Sequence, residues 1–355
     1  MVTPQQVLDE LKKVKYPGFA RDIVSFGMVQ DIEVGSTGVN VILAPTTAKE
    51  DVIHQIREAV ATAVSRMPGV TAVDVTVTAP EQPQRRMEQG PAGVPGVSHV
   101  VAVASGKGGV GKSTVAVNLA LALVRLGQRV GLMDCDVYGP SVPLMLGLHE
   151  RPKSTEDRRI IPLQKFGLKI ISLGLFVEDH TPIIWRGPMI NKLLTQFLRE
   201  VDWGELDYLV LDLPPGTGDA QLTIVQQVPL SGGVIVTTPQ DVALLDVKRG
   251  VTMFQQVNAP VLGVIENMSY HICSGCGDRV EIFGHGGGEQ MAKQFHIPLL
   301  GEIPLVRDIR ETADTGTPIV VAQPDHPQSQ AFRAIAERVV AEVTAHPRQE
   351  LPAVH

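Results

Sequence analysis

Ser105-Gly106-Lys107-Gly108-Gly109-Val110-Gly111-Lys112-Ser113-Thr114 decides the reading of this 355-residue chain. From Gly106 to Ser113 it fits the spacing G-x-x-x-x-G-K-[ST]. The apolar run Val100-Val101-Ala102-Val103-Ala104 precedes it and is short enough for a buried strand. A run of helical period follows through Val115, Leu119, Ala122, Leu123 and Leu126, and Gly127 suits its C-terminal cap. Strand, glycine-rich loop and helix in this order aim backbone N–H groups and the helix dipole at a phosphate. In this pattern Lys112 sits on the β- and γ-phosphates and Ser113 offers its hydroxyl to Mg²⁺. Gly108, Gly109, Val110, Gly111 and Thr114 complete the cradle, with glycines where a Cβ would hinder the backbone's approach. A glycine-rich turn matching by chance is the competing reading, and the flanking strand and helix speak against it.

Lys107 is a second lysine in the loop, directly after Gly106. The loop thereby resembles the deviant P-loop of the MinD/ParA/nitrogenase-iron-protein class. In that class the extra lysine reaches across a dimer interface to the partner's nucleotide. The resemblance implies a homodimer with ATP at its interface and Lys107 and Lys112 both at the reacting phosphates.

Hydrophobic residues make up 44% and charged residues 19%, a globular rather than disordered composition. A net charge of −7 argues against nucleic-acid binding through bulk electrostatics. No apolar run is long enough to span a bilayer. The polar start Met1-Val2-Thr3-Pro4-Gln5-Gln6 lacks the layout of a signal peptide, so a cytoplasmic location is expected, with neither membrane nor nucleic acid as partner. Three cysteines, two of them as C-x-x-C, suit metal or redox chemistry better than a disulfide framework.

Residues 1–80 read as a small α+β domain of order α-β-β-α-β. A helix carries Val7, Leu8, Leu11 and Val14; two strands, Met28 to Val34 and Val39 to Leu43, are joined by Gly35-Ser36-Thr37-Gly38. A second helix follows through Val52, Ile53, Ile56, Val60 and Val64, and Val73 to Val77 alternates as a half-buried strand. Its stretch from Tyr16 to Gly27 resembles the small domain of iron–sulfur assembly factors, which also fronts many Mrp-type ATPases. Relatives often carry a cysteine in the loop before the long helix. Here that loop, Ala44-Pro45-Thr46-Thr47-Ala48, has none, which leaves a docking, regulatory or structural role. Residues 81–96, punctuated by Pro83, Pro91 and Pro95, read as a linker.

From residue 97 to 345 strands and helices alternate. Strands are expected at Arg129 to Met133, Leu168 to Leu173, Tyr208 to Leu211, Gly233 to Thr237, Val261 to Ile265 and Leu299 to Ile303. The expected fold is α/β, a mostly parallel, doubly wound P-loop NTPase sheet with the small N-terminal α+β domain in front. Ligands bind such sheets at the carboxyl ends of the strands. Asp134 and Asp136 follow one strand and Asp212 another. Asp212 is assigned to Mg²⁺ through water, Asp134 to the support of the metal shell, and Asp136 to the attacking water. Each aspartate taken alone would serve equally as a cap or turn residue. Gly216 and Gly218 suit a loop that responds to the γ-phosphate.

The runs Trp185-Arg186-Gly187-Pro188-Met189, Asp207 to Asp219, Thr238 to Ala243, Glu266-Asn267-Met268-Ser269 and Ile282 to Gly288 resemble the Mrp family of P-loop ATPases, the iron–sulfur cluster carriers. The resemblance spans Val97 to Val321. It implies that Asn267 reads the adenine edge and that the backbone from Pro304 to Val306 lines the base pocket. It also implies apo iron–sulfur proteins and assembly scaffolds as partners.

Cys273-Ser274-Gly275-Cys276 points two thiolates at one metal, half of a four-ligand set. A twofold axis would bring four thiolates together, and the family bridges a [4Fe–4S] cluster in this way. A zinc site with His271 and His285, a redox pair and a chance pair of thiols are the alternatives; Cys135 reads as a packing residue. A helix over about 328–343 packs Phe332, Ile335, Val339, Val340 and Val343 on one stripe, unlike the basic helix of membrane-targeting MinD proteins, and 346–355 read as a tail. The resemblance and the sites imply an ATP-hydrolysing cluster carrier. A positioning ATPase of the ParA/MinD kind and a zinc-stabilised nucleotide-binding scaffold are the alternatives. Slow turnover is expected, because no glutamine or arginine finger is evident.

Overall fold

Thr3 and Gln6 exchange hydrogen bonds between side chain and backbone, a capping box that opens the first helix, α1 (Pro4–Leu11). The computed structural model describes residues 2–17, 22–25, 28–35, 38–43, 50–77, 93–136, 139–157, 159–176, 187–216, 219–273 and 275–346. The chain divides into two units, Met1–Gln89 and Gly90–His355.

In the first unit α1 is followed by β1 (Val29–Val34), β2 (Val39–Leu43), α2 (Glu50–Ser65) and β3 (Val73–Val77). β1 and β2 form an antiparallel hairpin closed by Gly35 N–H to Gly38 O; β3 pairs with β2 in parallel. Val7, Leu11, Ile23, Val41, Val60 and Val64 form its core. α1 ends at Leu11, earlier than expected, and Val14 is buried from a turn beyond it. The Ala44–Ala48 loop, most of the linker and the tail after His346 lie outside the described residues.

The second unit begins with β4 (Val97–Ala104), α3 (Lys112–Arg125), β5 (Val130–Asp134) and α4 (Val142–Met145). Short strands β6 (Lys153–Ser154), β7 (Ile160–Ile161) and β8 (Leu163–Lys165) lead to β9 (Leu168–Ser172) and α5 (Gly187–Glu200). β10 (Leu206–Asp212), α6 (Asp219–Gln227), β11 (Gly232–Thr237), α7 (Asp241–Gln256) and β12 (Val261–Asn267) follow. A hairpin of β13 (His271–Ile272) and β14 (Arg279–Val280) precedes α8 (Gly287–Phe295), β15 (Leu299–Ile303), α9 (Arg307–Asp314), α10 (Ile319–Ala322) and α11 (Pro327–Ala345).

The main sheet runs β15-β12-β11-β4-β10-β5-β9-β8. It is parallel except for β8, which returns antiparallel along β9. Helices cover both faces: α3 and α11 bury one core with Leu119, Leu123, Phe332 and Ile335, and α5 to α8 the other with Phe197, Leu198, Phe254 and Met291. This is the expected doubly wound α/β fold with a small α+β unit before it. Strand β4 lies between β10 and β11, so the chain leaves it at a point where the winding reverses, and the glycine-rich loop opens there. Packing is close: a Cβ on Gly233 would lie 2.3 Å from the Phe254 ring. Of the apolar stripe read for α11, Phe332, Ile335, Val339 and Val343 are buried and Val340 is partly buried. Among the described residues no helix is long and apolar enough to cross a membrane.

Candidate nucleotide site and cysteine hairpin

α3 starts at Lys112 directly after Gly111, which has φ +80° and provides no side-chain cap. The first amides of the helix are thus left for a ligand at its N-terminus. Gly109 also has positive φ, at +81°, and a Cβ on Gly111 would lie 2.3 Å from Asn267 Nδ2. The positive φ favours glycine at position 111, and a Cβ there would also have to displace the Asn267 amide from its place. The loop borders a cavity of about 460 Å³ lined by Ser105, Lys107, Gly108, Gly109, Gly111, Lys112, Ser113 and Thr114. Asp136, Pro215, Asn267, Met268, Pro304, Leu305 and Val306 line it as well. Gly106, Val110, Asp134 and Asp212 do not line it.

Lys112 and Asp212 form a buried ion pair; Lys112 is 5% exposed and Asp212 fully buried. The Lys112 ammonium also donates to Ser113 Oγ at 3.2 Å. Burial pushes the Asp212 carboxyl up, and Lys112 pulls it back. Asp212 Oδ2 is buried with no hydrogen-bond partner among the described residues. A buried carboxylate oxygen without a donor beside a serine hydroxyl fits a cation or its water, so these residues suit Mg²⁺.

The sequence assigns Asp134 to the support of the metal shell, and in the structure it has two hydrogen-bond partners of its own. It ends β5 in register with Asp212 of β10 and Ser172 of β9. Its Oδ1 accepts the Asp136 N–H at 3.0 Å and its Oδ2 the Ser172 hydroxyl at 2.8 Å. Asp134 therefore braces Asp136, the residue that faces the cavity. Ser172 was not anticipated; its place at the end of a strand of the same sheet was the available signal. Burial, and then the Asp212 charge beside it, push the Asp134 carboxyl up to about 7.

A pH dependence follows. The folded chain keeps the Asp134 proton up to about pH 7, while the unfolded chain releases it near pH ~4. Its contribution to the stability of the ligand-free protein is therefore largest at acid pH and declines as pH rises from 4 through 7. Asp134→Asn should flatten this decline, read as the urea midpoint at pH 5 and pH 8; equal slopes in the two proteins would refute the assignment.

Lys107 donates to Gln240 Oε1 at 3.2 Å, a partner the sequence did not suggest. Asn267 is 7% exposed and its Nδ2 donates to Val110 O at 2.8 Å, so this amide hydrogen bond holds the glycine-rich loop. Gly216, at φ +96°, donates its N–H to Ser105 O at 3.1 Å; Gly218 lies outside the described residues.

Cys273 and Cys276 occupy the turn of the β13–β14 hairpin. Cys273 N–H donates to Asp278 O at 2.9 Å and Gly277 N–H to Cys273 O at 2.8 Å. Cys273 is half-buried and Cys276 exposed; neither borders the nucleotide cavity. The backbone amides of Cys276 and Gly275, and then the Cys276 thiol, face the Cys273 sulfur and hold its thiol below the usual value. Ile272 and Val280, in the two hairpin strands, and Ile282 just beyond them are exposed. Cys135 is fully buried and its thiol is pushed up by burial, in keeping with packing.

The two-cysteine, two-histidine set is not assembled. His271 donates from Nδ1 to Leu305 O at 2.8 Å, and His285 Nδ1 accepts from Arg279 at 3.2 Å. Among the described residues one trio brings ligand atoms within 4.8 Å of one another: Glu266, His285 and Glu302. Protein donors already occupy it, since Glu266 accepts from Ser269 at 2.6 Å and from Gly288 N–H at 2.5 Å.

This chain is similar to known proteins. The family profile described as NUBPL iron-transfer P-loop NTPase, of the ParA group, matches residues 96–340, and that of iron-sulfur cluster assembly proteins matches residues 4–87. The iron-sulfur cluster carrier protein of Synechocystis sp. is 45% identical over 349 residues, covering 97% of this chain and 99% of the relative. That of Escherichia coli K12 is 42% identical, covering 95% and 91%. Among solved structures, a nucleotide-binding protein from Archaeoglobus fulgidus in complex with ADP is 37% identical with a TM-score of 0.59, covering 67% of this chain and 93% of that one. The Pyrococcus furiosus cell division ATPase MinD, 22% identical with a TM-score of 0.53 over 69% and 99% of the two chains, shares the fold. The chain belongs to the iron–sulfur cluster carrier proteins, ParA-type P-loop NTPases with an N-terminal iron–sulfur cluster assembly domain.

Proposed function

We propose that this protein is a slow, Mg²⁺-dependent ATPase of the cytoplasm that holds a [4Fe–4S] cluster between two copies of itself and passes it to apo-proteins. The observation that carries the reading is the cysteine turn. One chain presents two thiols on a hairpin outside the nucleotide cavity, half of a four-thiolate set, and a twofold axis supplies the other half. The names of the relatives and the ADP bound to the Archaeoglobus fulgidus protein support the cargo and the nucleotide.

The residues suggest a division of labour. The glycine-rich loop and the N-terminus of α3 bind the phosphates. Lys112 exchanges Asp212 for phosphate oxygens, which frees the carboxylate. Ser113 and Asp212 would hold Mg²⁺, which when bound neutralises charge on the β- and γ-phosphate oxygens. Asp136, braced by Asp134, orients the attacking water. Lys107 leaves Gln240 and reaches the nucleotide of the second copy. Asn267 and Pro304 to Val306 border the base. Residues 1–80 serve docking to scaffold or recipient proteins, with 81–96 as the linker.

Nucleotide then sets how firmly the paired Cys273 and Cys276 hold the cluster. Cluster transfer from the reconstituted protein to an apo-ferredoxin tests this. Transfer should be at least several-fold faster or slower with ATP and Mg²⁺ than without; equal rates would remove the switch from the reading.

A further inference from the structure

Hydrogen bonds fix a short segment between the nucleotide cavity and the cysteine hairpin. At one end Asn267 Nδ2 donates to Val110 O at 2.8 Å and ties the segment to the glycine-rich loop. In the middle Ser269 N–H donates to Ile303 O at 3.0 Å. At the other end Leu305 N–H donates to Tyr270 O at 2.7 Å, and His271 Nδ1 donates to Leu305 O at 2.8 Å. Leu305 is thus gripped on both of its backbone groups by the residues that open the hairpin, while it lines the cavity beside Asn267 and Met268. Met268 has φ +55°, a conformation that non-glycine residues keep only when their surroundings impose it. The Tyr270 ring carries the Arg279 guanidinium 3.9 Å from its centroid, so the second hairpin strand is held by the same segment.

We propose that residues 267–271 are a strap that couples the nucleotide cavity to the cysteine turn, with His271 as its positioning residue. A ligand that shifts the glycine-rich loop moves the Val110 carbonyl, and one that seats against Leu305 moves that peptide. Both displacements reach the base of the hairpin within a few residues, through hydrogen bonds that have defined donors and acceptors rather than through loose packing. His271 does not border the cavity and is not one of the two thiols, so its contribution is to transmit. The consequence for cluster release rests on the function proposed above; the coupling itself does not.

Hydrogen exchange of the 271–280 amides, with and without Mg·ADP, tests the strap in the cluster-free protein. In the wild type Mg·ADP should change exchange of these amides by about fivefold or more. In His271→Ala the change should fall below about twofold. His271→Asn, whose side-chain amide can place a donor near the position of Nδ1, should recover most of it. A wild-type hairpin indifferent to Mg·ADP overturns the strap, and so does a full response in His271→Ala. Cluster transfer separates the two proposals. If the hairpin responds to Mg·ADP and wild-type transfer ignores ATP, the strap stands and the carrier switch fails.

Discussion

Lys112→Ala is expected to lower ATP turnover by about 10²- to 10³-fold, the loss typical of removing one charge-stabilising donor from a reacting centre. Lys112 lies at the N-terminus of α3 on the cavity wall, where, in the function proposed above, its charge would leave Asp212 and meet the phosphates. The substitution also strips the buried Asp212 of its cation. Breaking a buried pair by removing one partner costs about 3 kcal/mol or more, because the remaining charge is left in a medium that solvates it poorly. Asp212 can evade part of that cost by taking a proton, which burial already favours. The sign of the pH effect follows. In the variant the folded chain binds a proton that the unfolded chain has lost above pH ~4, so the variant's stability falls further behind the wild type as pH rises. Steady-state phosphate release and urea midpoints at pH 5 and pH 8 check both parts. Wild-type turnover in Lys112→Ala would remove Lys112 from the phosphate site. A pH-independent stability gap would mean that Asp212 stays charged without it.

Cys273→Ser is expected to leave the chain colourless after anaerobic reconstitution with iron and sulfide. The wild type should show a broad visible band and about two irons per chain, one four-iron cluster shared by two copies. Serine keeps the size of the side chain and removes the thiolate, the donor that iron–sulfur clusters require. The fold should be untouched. The hairpin is closed by backbone bonds between Cys273, Gly277 and Asp278, and Cys276 is exposed, so stability should change by less than about 0.5 kcal/mol in either cysteine variant. Cys276→Ser should behave alike, since either loss halves the set each copy contributes. Full iron retention in a single variant would place the cluster elsewhere. A colourless wild type with about one zinc per chain would make the turn a structural metal site.

Local sequence pattern was enough to locate the parallel strands of the main sheet and the glycine-rich loop, but not β8 or the β13–β14 hairpin. Buried parallel strands are near-continuous apolar runs, and the helices between them carry a 3.6-residue period, so Val261 or Leu299 as strand starts and the stripe of α11 were legible from local pattern alone. The glycine-rich loop was legible for the same reason: its function depends on residues adjacent in the chain. Tertiary structure decided which side chain faces which. Asp134 and Asp212 look alike in sequence as acids at strand ends. Only their alignment across β5, β10 and β9 gives Asp134 the Ser172 hydroxyl and the Asp136 amide, and gives Asp212 the ammonium of Lys112. His271 entered an alternative zinc site because it is near Cys273 in the chain, yet its Nδ1 donates to Leu305 O, 34 residues away. Lys107 and Gln240, 133 residues apart, carry no local sign of their bond. Backbone pattern is written in short-range periodicity, which hydrophobic burial enforces residue by residue. Side-chain pairing depends on strand order and register, which exist only once the whole sheet has formed.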